Sequence, residues 1–156
     1  MANDQAGADG ITRIVDVGAK PETDRTATAE SWLVSTPEAV AHLVAGTKKG
    51  DPIAAAKIAG VMGVKRTPDL LPFCHPIRVT GADVTVEPDP GTGRIRVEAT
   101  VRATDRTGVE MEALTAAAVA ALSLYDTAKA FDRAARIEGV RLLAKSGGKS
   151  GDYRAE

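Results

Sequence analysis

The clearest pattern in the chain is a two-residue alternation from Arg94 to Arg102. Ile95, Val97, Ala99 and Val101 are apolar, and Arg94, Arg96, Glu98, Thr100 and Arg102 are polar. Successive strand side chains point to opposite faces, so this is a strand with one buried and one wet face, as in a half-covered antiparallel sheet. Upstream, Ile77 and Val79 share one phase, Ala82, Val84 and Val86 the other, with Gly81 between. That one-residue slip predicts a β-bulge. Asp89-Pro90-Gly91-Thr92-Gly93 reads as the hairpin turn joining the two runs. Ile11 to Val17, Ala27 to Val34 and Ile137 to Leu143 read as three further short strands.

Helix signals fill the gaps. Thr36-Pro37-Glu38 offers a hydroxyl cap and then proline at the first helical position, where a missing N–H costs nothing. That helix is expected to end near Gly46. Asp51-Pro52 repeats the signal and opens a second helix, small and apolar through Val64, hence expected to be buried. Thr67-Pro68-Asp69 predicts a separate single turn leading to Cys74-His75-Pro76. The longest helix is expected from Val109 to about Ala134, with Ala116-Ala117-Ala118 and Ala120-Ala121 letting another helix approach closely. Hairpin, long helix and final strand in this order predict an α+β domain with an antiparallel sheet and helices on one face. Residues 1–10 are small and polar and read as a flexible arm. Residues 11–156 read as a single domain, ending in a flexible glycine-rich tail from about residue 145.

Composition narrows the function. The formal net charge is −1, so no global field recruits nucleic acid or an anionic membrane. Aromatic residues are 3% of the chain, too few for a platform on which bases stack. No apolar run reaches the roughly 20 residues that span a bilayer. Cys74 is the one cysteine, which fits a reducing compartment, and the first residues lack a secretory pattern; the expected location is the cytoplasm. Charge is nonetheless focused. Lys48 to Arg66 and Arg133 to Lys149 each carry a net +4, read either as an anion site or as two solvated faces.

Four places offer chemistry. Cys74 and His75 with one carboxylate make a metal site possible but unforced, since catalytic zinc takes three protein ligands; no metal and no cofactor are expected. His75, pinned before Pro76, has an extended backbone that turns it away from Cys74, so it reads either as structural or as an acid, base or phosphate donor. His42, beside Leu43, reads as structural. Asp126 and Lys129 are one turn apart on one helix face, either a surface ion pair or a working pair. Glu112 lies fourteen residues earlier, about 40° away around the axis but roughly 21 Å along it. One copy of the helix does not bring both ends to one small pocket. Either the ends do different jobs, or a second subunit brings its end to the first; the second reading is preferred. Lys145 and Lys149 flank Gly147-Gly148, whose backbone N–H groups suit an anion. Lys49 precedes a helix N-terminus that favours phosphate.

Longer matches connect these places. Val15-Asp16-Val17, Lys49-Gly50-Asp51, Lys65-Arg66-Thr67, Leu71-Pro72-Phe73-Cys74-His75-Pro76, Gly108-Val109-Glu110-Met111-Glu112-Ala113-Leu114-Thr115, Tyr125-Asp126-Thr127-Ala128-Lys129 and Leu143 to Gly151 stand in family order from about Ile14 to Tyr153. The chain thereby resembles the molybdenum-cofactor biosynthesis protein C family, the cyclic pyranopterin monophosphate synthases. Phe73 stands where that family is expected to have leucine. The resemblance implies a ferredoxin-like fold, a catalytic domain, and a homo-oligomer: a hexamer, a trimer of dimers, with active sites at dimer interfaces. It implies a lyase acting on (8S)-3′,8-cyclo-7,8-dihydroguanosine 5′-triphosphate. It also implies Asp126, Lys129, Lys49, Lys145 and His75 as catalytic residues, and Phe73, Cys74, His75, Met111 and Glu112 around the substrate. The alternative is a non-catalytic ferredoxin-like module that binds a phosphorylated nucleotide or pterin.

Overall fold

Strand pairing follows the alternation. The computed structural model describes Gly10 and residues 12–156. Residues 1–9 of the expected arm, and Ile11 at the head of the expected first strand, lie outside the described residues. The elements are β1 (Thr23–Val34), α1 (Pro37–Ala45), α2 (Pro52–Leu70), β2 (Val79–Asp89), β3 (Arg94–Asp105), α3 (Glu110–Ala128), β4 (Arg136–Ser146) and β5 (Tyr153–Arg154). The strands form one antiparallel sheet in the order β2-β3-β1-β4-β5. Ile95, Val97, Ala99 and Val101 of β3, with Ala27, Ala29 and Leu33 of β1, are buried in the core shared with α3. The α+β, ferredoxin-like expectation holds, and the β2–β3 register slips between Val79 and Gly81 where the phase change predicted a bulge.

The opposite sheet face is polar. On it Glu30 is 5% exposed, yet Arg141 donates to its Oε1 at 2.8 Å and Arg96 to its Oε2 at 2.9 Å. Burial alone would raise its pKa; the two guanidinium hydrogen bonds and charges outweigh burial and hold it below the ordinary value.

Both capping signals act as predicted. Thr36 Oγ1 accepts from Ala39 N at 3.2 Å, and Asp51 Oδ1 from Ile53 N at 2.8 Å and Ala54 N at 3.1 Å. Four expectations need correction. Thr67-Pro68 does not start a new turn: α2 runs through it to Leu70. Pro68 has no N–H to give, but Leu71 N donates to Thr67 O at 3.0 Å, so the helical ladder resumes beyond it. Secondly, α2 is half buried. Ala56, Gly60, Gly63, Val64 and Thr67 face inward, while Ile58 and Met62 are more than half exposed.

Thirdly, α3 stops at Ala128, six residues before the expected end. Phe131 N turns back to Ala128 O at 2.9 Å, and the Asp132 carboxylate accepts from Ser35 Oγ and Ala134 N, both at 2.8 Å, which ties the chain off the helix axis. Fourthly, residues 13–17 form no strand. Their apolar side chains Val15 and Val17 line a cavity instead of joining the sheet. At the other end, β4 extends to Ser146, and the glycine-rich stretch expected as a tail turns back so that Tyr153 pairs with Lys145. Gly147 has φ 90°, and a Cβ there would lie 2.0 Å from Asp24 O, so the turn needs glycine for conformation and for space.

Small residues set the distance between α2 and α3. A Cβ on Gly60 would lie 3.1 Å from both Val84 methyls and 3.2 Å from Ala116 O. Gly60→Leu is therefore expected to push the helices apart and to destabilise the fold by about 2 kcal/mol or more. The shift of the urea midpoint at unchanged slope measures it.

Candidate functional site

The length of α3 divides the candidate residues into two groups. At its C-terminal end, Lys129 Nζ lies 2.7 Å from Asp126 Oδ1, with both side chains more than half exposed. The hydrogen bond from Lys129, then its charge, and more weakly the charge of Lys49, hold the Asp126 carboxyl below its ordinary range. Asp126 in turn holds Lys129 above its own. Lys49 reaches this neighbourhood from the loop between α1 and α2, which is closed by Thr47 N donating to Gly50 O at 2.9 Å and Gly50 N to Thr47 O at 3.0 Å. Gly50 takes φ 118° to make that turn. Asp126 and Lys129 line an open cavity of about 510 Å³ whose other walls include Ala59, Val119, Leu122 and Tyr125. His42 keeps the structural role expected of it, stacked on Phe131 with ring centroids 4.4 Å apart.

At the N-terminal end lies a second cavity, about 590 Å³, lined by Phe73, Cys74, His75, Glu110 and Met111 and, on the far wall, by Val15, Val17 and Lys20. Phe73 and Met111 present apolar surface to it, 38% and 42% exposed. Cys74 and His75 take separate partners, as the extended backbone requires. The Cys74 thiol donates to Glu112 Oε1 at 3.7 Å. His75 Nε2 lies 2.7 Å from Val15 O. A carbonyl only accepts, so Nε2 carries the proton and Nδ1 is the basic nitrogen of the neutral ring. Lys145 Nζ sits at the edge of this group, 2.9 Å from Glu110 Oε1 and 3.4 Å from Ser150 Oγ.

Glu112 is not on the cavity wall. It is 1% exposed, behind Cys74, and its Oε2 is buried with no hydrogen-bond partner among the described residues. Burial, reinforced by the nearby Glu110 charge, raises its pKa, against the opposing effect of the Cys74 hydrogen bond. Among the described residues, no group of three or more His, Cys, Asp or Glu side chains is disposed to hold a metal ion.

The chain thus brings Phe73, Cys74, His75, Met111 and Lys145 to one end of α3 and Lys49, Asp126 and Lys129 to the other. Sixteen residues from Glu110 to Asp126 put the two ends about 24 Å apart at 1.5 Å per residue. The two cavities share no lining residue. A family model for the MoaC family matches residues 14–148. The chain belongs to the MoaC family.

Relatives called cyclic pyranopterin monophosphate synthase match it almost end to end. The protein from Deinococcus radiodurans is 55% identical over 148 residues, covering 94% of this chain and 86% of that one. That from Parvibaculum lavamentivorans is 50% identical over 149 residues, covering 94% and 92%. That from Roseiflexus sp. strain RS-1 is 51% identical over 145 residues, 92% of each chain.

Two features of this MoaC-family chain were not singled out in the sequence. Glu110 is one: nothing in residues 108–112 shows that Lys145 arrives from a distant strand. Val15 falls in an apolar run that reads as a strand, because apolar alternation alone does not distinguish a sheet from a cavity wall. Cys74 carries a direct prediction. Burial first, then the Glu112 charge and hydrogen bond, push its thiol up to about 11. At neutral pH it is a thiol, and only the thiolate is a competent nucleophile. Alkylation of Cys74 by iodoacetamide is therefore expected to keep accelerating from pH 7 to pH 10 without a plateau; a plateau near pH 8.5 would contradict the buried, Glu112-paired geometry.

Proposed function

We propose that this chain is a lyase of molybdenum-cofactor biosynthesis, converting (8S)-3′,8-cyclo-7,8-dihydroguanosine 5′-triphosphate into cyclic pyranopterin monophosphate and diphosphate. The observation that carries this reading is 55% identity, over 94% of the chain, to a protein bearing that enzyme's name. The geometry supports it. The chemistry needs cations for a triphosphate and several proton transfers as the purine ring opens and recloses as a pterin. A ribose hydroxyl oxygen then bonds to the α-phosphorus while the bond to the β-phosphoryl oxygen breaks. The hydroxyl proton goes to a base and diphosphate leaves with charge to be stabilised.

In this reading Phe73, Cys74, His75 and Met111 receive the ring system, and Glu112 backs Cys74 from behind. Lys49 and Lys145 hold phosphate charge as point cations. Asp126 and Lys129 exchange protons with the reacting ring, which requires substrate to loosen their 2.7 Å pair. The working form is a hexamer built as a trimer of dimers, in the cytoplasm, with each site completed across a dimer contact. Exposed Leu122, which lines the Asp126 cavity, and exposed Ile58 and Met62 on α2 support such a contact, since they present apolar surface that water solvates poorly.

The test is incubation of the purified chain with the cyclised dihydro-GTP. Pterin fluorescence after oxidation, with one diphosphate per pterin, is expected. Tight binding without conversion would make the chain a binding module instead.

A further inference from the structure

Glu110 belongs to none of the roles assigned above, yet it joins the two halves of its end of α3. Its Oε1 accepts from Lys145 Nζ at 2.9 Å, with the two side chains 28% and 26% exposed. The same residue lines the cavity that holds Cys74 and His75. It is therefore the contact through which β4, carrying Lys145, meets that cavity. The carboxylate also occupies a place made for it. A Cβ on Gly108 would lie 1.9 Å from Glu110 Oε2. Gly108 is not in the left-handed region, so its lack of a side chain serves this space and not an unusual backbone. On a four-carbon stem a lysine ammonium wanders unless something holds it, and an ångström of misplacement is costly to a reaction that depends on orientation.

We infer that Glu110 is a positioning residue, whose carboxylate holds the Lys145 ammonium at the mouth of the Cys74–His75 cavity in the space left by Gly108. The inference rests on the proposed reaction for the part Lys145 plays in it. A simple structural tie between α3 and β4 would show the same distance, so the two are separated by what they change. A tie changes stability alone; a positioning group changes the freedom of Lys145 and the rate.

Two substitutions release Lys145 by different routes. E110Q removes the charge and keeps the shape. G108A keeps Glu110 but places a methyl where its flexible carboxylate lies, forcing it aside. The experiment labels lysines of the assembled full-length protein with an amine reagent, read by mass spectrometry with exposed Lys57 as internal reference, and measures steady-state turnover of the cyclised dihydro-GTP. Both variants are expected to label Lys145 about fivefold faster than wild type relative to Lys57, the loss of one charge-assisted hydrogen bond. Turnover is expected to fall about 30-fold in kcat with KM within about threefold. E110D restores part of it, and adding E110Q to K145A costs nothing more.

Unchanged labelling in both variants overturns the pairing, whether or not the wild type turns over. Faster labelling with unaltered kcat, or an additive loss in the K145A background, overturns the positioning role. A wild-type chain that forms no pterin overturns the proposed reaction and with it the catalytic half of the inference, while labelling still decides whether Glu110 holds Lys145.

Discussion

Asp126→Asn abolishes pterin formation, with a loss of about 10³-fold or more in kcat, and leaves the folded protein as it was. Positioned acid–base groups contribute about 10²–10⁴-fold, and Asn can neither take nor give the proton. The structural side of the forecast comes from the surroundings of Asp126. Its side chain is 72% exposed and pairs with Lys129 one turn away on the same helix. Exposed pairs of this kind contribute little to stability. Melting temperature, circular dichroism and oligomeric state are therefore expected to match the wild type. Because Lys129 loses the partner that holds its ammonium, some rise in KM for the triphosphate is also expected, but smaller than the loss in kcat. Retained turnover in this variant would remove Asp126 from the chemistry. Lost turnover together with a lowered melting temperature would mean the residue is structural, against its open position.

What the sequence made legible and what it concealed follow one rule: local chemistry shows and distant partners do not. The β3 alternation, the slip at Gly81 and the caps Thr36 and Asp51 were visible because each is decided within a few residues. The continuation of α2 past Pro68 was not, since Thr67-Pro68 carries the same signal as the true helix starts at Thr36-Pro37 and Asp51-Pro52. The early stop of α3 was not either, since it depends on Asp132 meeting Ser35, ninety-seven residues away. The site divides the same way. Cys74, His75, Asp126 and Lys129 stand out by residue type and spacing. The placement of Glu112 behind Cys74, and of Glu110 against Lys145, requires a fold that brings positions 38 and 35 residues apart together. The length of α3 is the exception. Rise per residue alone separates the two ends of α3, and the structure keeps them in separate cavities.

That separation yields the most discriminating prediction: two severely impaired variants mixed together regain activity. Take Asp126→Asn, defective at the C-terminal end of α3, and Lys145→Ala, defective at the N-terminal end. If each site joins one end from each of two copies, a mixed dimer has one site with both defects and one with neither. Random reassembly makes half the dimers mixed, and half of their sites are intact, so about one quarter of wild-type turnover is expected from an equal mixture. Each variant alone stays at its low residual rate at any concentration. Dissociation in mild denaturant followed by dilution provides the exchange, and turnover measured against time of mixing reports it. A site contained within one chain would give no recovery, because every chain in the mixture carries a defect. The stacked distances favour recovery: about 24 Å along α3 is more than the length of the side chains that must meet, and no side chain of the described residues bridges the two cavities. Full loss in the mixture, with exchange demonstrated by differently tagged copies, would mean that both ends of α3 serve a site within a single chain, against their separation of about 24 Å.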